Sequence, residues 1–113
     1  MLTLLFLAAL SVTFRDVAAG AGITFVHDMG RSGQKMMVET MGSGGGFIDY
    51  DNDGDLDIYL INGAPLPGYT GRATPSDAMY RNDGSLTYTD VTAETRTGDT
   101  SYGMGFCAGD YDN

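Results

Sequence analysis

Nine residues near the centre of the chain most constrain its fold, because five of them are aspartates placed around one glycine. The segment is Asp49-Tyr50-Asp51-Asn52-Asp53-Gly54-Asp55-Leu56-Asp57. Its alternate side chains can converge on one point only if the backbone turns sharply, and the glycine permits such a turn. Short runs on either side, residues 45–48 and 56–61, have the length and composition of strands. The sequence therefore predicts an acidic loop that joins two strands.

The spacing of the aspartates predicts a cation site. Loop positions one, three, five and nine are Asp49, Asp51, Asp53 and Asp57, and Asp55 at position seven can add its backbone carbonyl. Carboxylates about 4 Å apart repel one another by roughly 1 to 4 kcal/mol per pair, so an empty loop should open or hold a proton. An all-oxygen cage suits Ca²⁺; Mg²⁺ fits less well because it prefers a smaller octahedral shell.

Two other interpretations of the loop compete with a calcium site. A polar turn whose aspartates bind backbone amides needs only one or two such residues, and it does not need alternate spacing. An EF-hand needs a bidentate Glu at position twelve, where this chain has Leu60, and a helix where residues 56–61 indicate a strand. We therefore favour a calcium loop between strands.

The composition of the whole chain favours an all-β fold. The 113 residues include 17 glycines, and the apolar runs are short and separated by Gly, Pro, Asn and Asp. The net charge of −9 argues against a nucleic-acid partner, because nucleic-acid binding needs a basic surface. Much of that charge lies in the acidic loop, where a cation would offset it.

Residues 1–11 predict an export signal. The first ten residues are apolar apart from Thr3, which fits the apolar part of a secretory signal and is too short for a stable membrane span. No Lys or Arg precedes the run and residues 8–11 match a cleavage site poorly, so a buried first strand is the alternative. Because weak calcium sites fill at extracellular concentrations, we expect a secreted, periplasmic or extracellular protein.

The chain offers few residues for acid–base or nucleophilic catalysis. Its one histidine, His27, lies in a strand-like apolar run and is predicted to be a hydrogen-bonded structural residue. Its one cysteine, Cys107, lies among small residues and is predicted to be a buried, inert thiol in a strand. We therefore predict that the chain is not an enzyme.

The chain also repeats part of itself. Residues 41–52 align without gaps on residues 102–113 and share the pattern Gly-x-Gly-x-x-x-x-Asp-Tyr-Asp-Asn. Asp110 and Asp112 would then open a second metal loop that the sequence truncates. Repeats of short strands and tight turns predict a propeller or similar radial array. We expect residues 12–113 to form about one and a half units of such a propeller, truncated at the carboxyl end.

Several segments along the chain match, in order, those of one repeat family. They are Phe14-x-Asp16-Val17, Gly22-Ile23-x-Phe25-x-His27, residues 39–44, the acidic loop with residues 58–63, residues 78–82, Thr89-Asp90-Val91-Thr92 and Tyr102-Gly103-Met104-Gly105. Together they resemble the FG-GAP or VCBS propeller repeat, and more closely the cartilage acidic protein family, the ASPIC and UnbV group. Two departures are Leu86, where the turn would carry a second glycine, and Gly45-Gly46, which we expect to loosen their strand.

The resemblance implies a β-propeller of seven blades that lies outside the cytoplasm and is concerned with binding. We expect a protein or glycan partner and a structural role for calcium. Two alternatives remain open for the whole protein. One is a propeller enzyme whose active site lies in further blades. The other is a self-contained domain that assembles from several copies.

Overall fold

The computed structural model describes residues 11–109, which form a four-stranded antiparallel sheet whose strands lie side by side in chain order. The prediction of an all-β chain is confirmed, because the helices in this part of the chain are two single turns. The strands are β1 Gly45–Ile48, β2 Asp57–Leu60, β3 Ala78–Asn82 and β4 Tyr88–Asp90, and the single turns are a 3-10 turn, Met37–Thr40, and α1 Thr92–Thr95.

Some sequence predictions fall on the two ends of the chain. All but the last residue of the predicted export signal, and both Asp110 and Asp112, lie outside the described residues. Between residues 11 and 109, no helix is long and apolar enough to cross a membrane.

The β1–β2 hairpin confirms the predicted strands on both sides of the acidic loop. Gly45 pairs with Leu60 and Ile48 pairs with Asp57, so residues 49–56 form the connection. Gly54 has a φ of +94°, a left-handed conformation that glycine adopts at little cost. The sharp turn predicted at this position is therefore present.

The core lies where the sheet meets the segments before it and after it. The amino-terminal segment covers the outer edge of β4, because the N–H of Tyr88 donates to the carbonyl of Ala21 at 2.7 Å. This bond pairs an edge that would otherwise expose backbone groups. The buried apolar residues are Ala21, Ile61, Ala78, Met79, Tyr80 and Val91.

A buried polar network ties the loops to β2. Asp77 accepts the N–H of Asn62 at 2.7 Å and the hydroxyl of Tyr59 at 2.6 Å. Asn62 in turn accepts the N–H of Asp28 at 2.7 Å. Burial, and the bond to the Asp77 carboxylate, raise the pKa of Tyr59 well above its ordinary value. The hydroxyl therefore stays protonated and keeps donating to the buried carboxylate.

The segment after α1 differs from its prediction. Residues 102–109 form no strand within the described chain, and Cys107 is exposed, so the predicted strand with a buried thiol is wrong. The residue of this segment that packs against the sheet is Phe106, whose ring centroid lies 5.1 Å from that of Tyr59 in β2. The ring occupies the space that a Cβ on Gly46 would need. Gly46 thus permits a close approach, and β1 forms despite its two glycines.

The β3–β4 turn shows how the chain accommodates Leu86 where a glycine was expected. Leu86 has a φ of +59°, which costs a residue with a Cβ roughly 1–2 kcal/mol. Its side chain is 66 % exposed, so little packing is lost when it is removed. We expect Leu86→Gly to raise the free energy of unfolding by about 1 kcal/mol, measured by urea denaturation.

Leu56→Gly is the matched control for that substitution. Leu56 is 55 % exposed and is not among the residues with positive φ. A glycine there adds freedom to the unfolded chain without relieving strain, and we expect a loss of about 0.5–1 kcal/mol. Equal losses in both variants would contradict the strain assigned to Leu86.

The bond between Tyr69 and Asp28 makes stability depend on pH. The Tyr69 hydroxyl donates to the Asp28 carboxylate at 2.6 Å, and this bond, followed by the N–H of Gly30, lowers the pKa of Asp28. The ionised carboxylate therefore stabilises the fold above the unfolded pKa of about 3.9, and the contribution disappears as the pH falls through the lower folded-state value. We expect Tyr69→Phe to destabilise the chain at neutral pH, by an amount that shrinks below about pH 4.

Tyr102→Phe is the control for this pH dependence. The Tyr102 hydroxyl donates to the neutral carbonyl of Val38 at 2.8 Å, so its removal should cost the same at every pH between about 3 and 7. Urea denaturation over that range tests both variants. A loss in Tyr69→Phe that does not change with pH would contradict the role given to Asp28.

Candidate metal centre

The acidic loop brings three of the five predicted aspartates into one group. Asp49, Asp51 and Asp57 each offer one carboxylate oxygen, and these oxygens lie within 4.8 Å of one another. Ligand oxygens lie about 2.3–2.6 Å from a bound Ca²⁺, so two on opposite sides of one ion are about 5 Å apart. The three carboxylates are therefore close enough to share one ion.

Asp57 is the anchor of this group. It is completely buried at the start of β2. One of its oxygens accepts the N–H of Tyr50 at 3.0 Å, and the other accepts the N–H of Asn82 at 2.8 Å. Each carboxylate oxygen has a second lone pair, so Asp57 can hold these two backbone groups and still offer an oxygen to a cation.

The Asp49 carboxylate stabilises the turn of the loop through two backbone hydrogen bonds. One of its oxygens accepts the N–H of Asp53 and the other accepts the N–H of Gly54, both at 3.1 Å. Carboxylate to backbone bonds of this kind are the ones that the polar-turn interpretation expects. The two interpretations are compatible, because the same bonds hold the loop closed on the side where the three carboxylates meet.

Asp53 and Asp55 lie outside the three-residue group. The Asp53 side chain accepts the N–H of Asp55 at 2.9 Å, which closes a short turn within the loop. The Asp55 carboxylate points toward the β3–β4 turn, since one of its oxygens lies 3.9 Å from where a Cβ on Gly84 would be. The role predicted for Asp55 used its backbone carbonyl and stays a prediction, as does the ligand role of Asp53.

The electrostatics of the loop show the repulsion that the sequence predicts. Partial desolvation, together with the charges of Asp53, Asp57 and Asp49, raises the pKa of Asp51. A divalent cation among these groups would reverse that effect, because its positive charge favours the ionised forms.

The donors of the group fit calcium better than other metals. All three are carboxylate oxygens, which hard cations prefer, whereas zinc and copper prefer nitrogen and sulfur. Calcium takes about 6–8 oxygen ligands, so three carboxylates leave room for backbone carbonyls and water. The residues present thus fit Ca²⁺, with part of its shell supplied by groups outside the carboxylate cluster.

Two contacts, one at the acidic loop and one before β1, could not be found from the sequence. The bond from Asn82 to Asp57 joins residues 25 positions apart. His27 is hydrogen-bonded, as predicted, but its partner is Ser43 at 3.0 Å, and the Ser43 hydroxyl also lies 3.2 Å from the carbonyl of Gly103. No periodicity or motif links these positions, because each contact depends on how separate segments pack.

The fold and the loop define an all-β chain with a four-stranded antiparallel sheet and a cluster of three carboxylates at the end of its first hairpin. No protein-family model matches the chain, and comparison with curated proteins and with solved structures finds no similar chain. The resemblance to FG-GAP and ASPIC/UnbV proteins therefore stays a prediction from the sequence motifs.

Proposed function

We propose that this chain is a repeat segment of an exported, calcium-stabilised β-propeller that serves as a binding or adhesion scaffold, with a structural role for the metal. The observation that carries the proposal is the approach of the Asp49, Asp51 and Asp57 carboxylates to within 4.8 Å of one another. Like charges this close are unfavourable without a cation between them.

Two features support a propeller. A blade is a sheet of four strands, and β1 to β4 have that number and lie in chain order. After α1 the chain returns to the start of the sheet, where the Cα of Gly105 lies 3.3 Å from the position of a Cβ on Gly44. Gly105 aligns on Gly44 in the internal repeat. The start of a second unit beside the first is the arrangement that a radial array requires.

The position of the three carboxylates supports a structural role for calcium. Asp49 and Asp51 follow β1, whereas Asp57 begins β2 and holds the end of β3 through Asn82. An ion bound by all three would tie these strand ends together. A ligand that binds only the folded state at 100 times its dissociation constant adds about 2.7 kcal/mol of stability.

Calorimetry on the chelator-treated chain tests this function. We expect titration with CaCl₂ to give a saturable heat and titration with MgCl₂ to give a much weaker one. Asp83→Ala is the control, because Asp83 is not part of the three-carboxylate group and its carboxylate already pairs with Arg81 at 2.8 Å. Absence of any calcium heat at millimolar metal would refute a calcium-stabilised scaffold.

A further inference from the structure

A cavity of about 530 Å³ with a mixed polar and apolar lining lies between the amino-terminal segment and the loop that precedes β3, and the acidic loop contributes nothing to its walls. Sites for small molecules are typically about 300–1,000 Å³. Four side chains carry the argument about what this cavity binds. They are Phe25, Tyr69, Arg72 and Asp90.

The remaining carboxylates of the cavity already hold its walls. Asp28 accepts the Tyr69 hydroxyl at 2.6 Å and the N–H of Gly30 at 2.8 Å. Asp77 accepts the hydroxyl of Tyr59 and the N–H of Asn62. Each therefore has both oxygens bonded to the protein, which makes the shape of the cavity rigid and leaves recognition to other groups.

The side chains available to a ligand include one charged donor, one charged acceptor and two rings. Arg72 forms no ion pair with a carboxylate among residues 11–109. Asp90 uses one oxygen for the N–H and the hydroxyl of Thr92, at 3.0 and 2.6 Å. Within the same part of the chain its second oxygen has no hydrogen bond. Phe25 and Tyr69 are half-buried, so each ring keeps an accessible face.

Charge and geometry exclude most other ligand classes. An anion would meet one guanidinium and the carboxylates of Asp28, Asp77 and Asp90. A metal ion would need grouped ligands, and the one such group in residues 11–109 is in the acidic loop. An apolar molecule would pair with neither Arg72 nor Asp90, and covering either group without a partner would cost about 1–3 kcal/mol.

We propose that this cavity binds a neutral sugar unit of a glycan. Neighbouring sugar hydroxyls can accept from Arg72 and donate to Asp90 at once, and the C–H face of a sugar ring packs against an aromatic ring. The inference rests on the proposed binding scaffold and assigns its partner class.

Titration of the full chain with the methyl glycosides of glucose, galactose and mannose, followed by calorimetry and saturation-transfer NMR, tests the site. We expect at least one glycoside to bind, and Arg72→Gln to weaken that binding by about tenfold or more. Phe25→Leu keeps an apolar side chain but removes the ring, and should also weaken binding. Arg96→Gln is the matched control, since Arg96 is exposed and lies outside the cavity.

Three results would overturn the sugar site. They are no binding of any of the three glycosides, equal binding by Arg72→Gln and the unmodified chain, and stronger binding of glucuronate than of the neutral sugars. Calcium titration of the same samples keeps the two proposals apart. Arg72→Gln should lose sugar binding but retain the calcium heat. In the unmodified chain, calcium binding without sugar binding counts against the cavity alone, and sugar binding without calcium binding counts against the calcium scaffold alone.

Discussion

Asp57→Ala is expected to lower the free energy of unfolding by about 2–5 kcal/mol in excess chelator, because two partly buried backbone N–H groups lose their acceptor. These groups belong to Tyr50 and Asn82, which bond to Asp57 at 3.0 and 2.8 Å. The effect does not require a metal, since it comes from the bonds that Asp57 makes within the protein. Urea denaturation in the presence of EDTA measures it.

Asp55→Ala is the matched control for this loss. Asp55 is exposed, and it is not part of the three-carboxylate group. Exposed substitutions of this kind usually change stability by less than about 0.5 kcal/mol. If Asp57→Ala were as stable as Asp55→Ala in chelator, the anchoring role of Asp57 between β1, β2 and β3 would be wrong.

Asp51→Ala is expected to abolish most of the stabilisation by calcium while leaving the chelated chain as stable as before, or more stable. In chelator the substitution removes an exposed carboxylate that repels Asp49 and Asp57. With calcium present, it removes a ligand. The unmodified chain should gain about 2.7 kcal/mol at 100 times its dissociation constant, and Asp51→Ala should gain much less.

Melting temperatures with EDTA, and then with increasing CaCl₂, test whether Asp51→Ala is at least as stable as the unmodified chain in chelator but gains less stability from calcium. Asp83→Ala is the control and should keep the full calcium response, because its carboxylate pairs with Arg81 and lies outside the acidic loop. An identical calcium-dependent rise in melting temperature for Asp51→Ala and the unmodified chain would mean that calcium binds elsewhere.

Export can be tested apart from calcium. We expect a reporter enzyme that is active only outside the cytoplasm to become active when it is fused after residues 1–30, because the first ten residues are apolar apart from Thr3. Leu5→Arg interrupts the apolar run and should abolish the activity, whereas Leu5→Ile should retain it. Equal activity in the two variants would contradict an export signal.

Local patterns in the sequence were sufficient to place β1, β2 and the acidic loop between them. Short apolar runs between turn residues predict strands, and β1 and β2 lie within one residue of the predicted limits. The sharp turn followed from Gly54, because a positive φ is a property of one residue and its neighbours. These predictions succeeded because each depends on interactions between residues that are close along the chain.

The packing of separate segments decided the features that the sequence left open. It exposed Cys107, because Phe106 makes the contact with Tyr59. It also placed the oxygens of Asp49, Asp51 and Asp57 together and left Asp53 to close a turn.

The sequence by itself determined an all-β chain with an acidic hairpin loop, because strand propensity, glycine turns and alternate aspartates all act over a few neighbouring residues. Only the tertiary structure decided that Asp57 is buried as an anchor and that a cavity forms beside Arg72. Burial and hydrogen bonding depend on distances between residues far apart in the chain, and a linear pattern does not contain those distances.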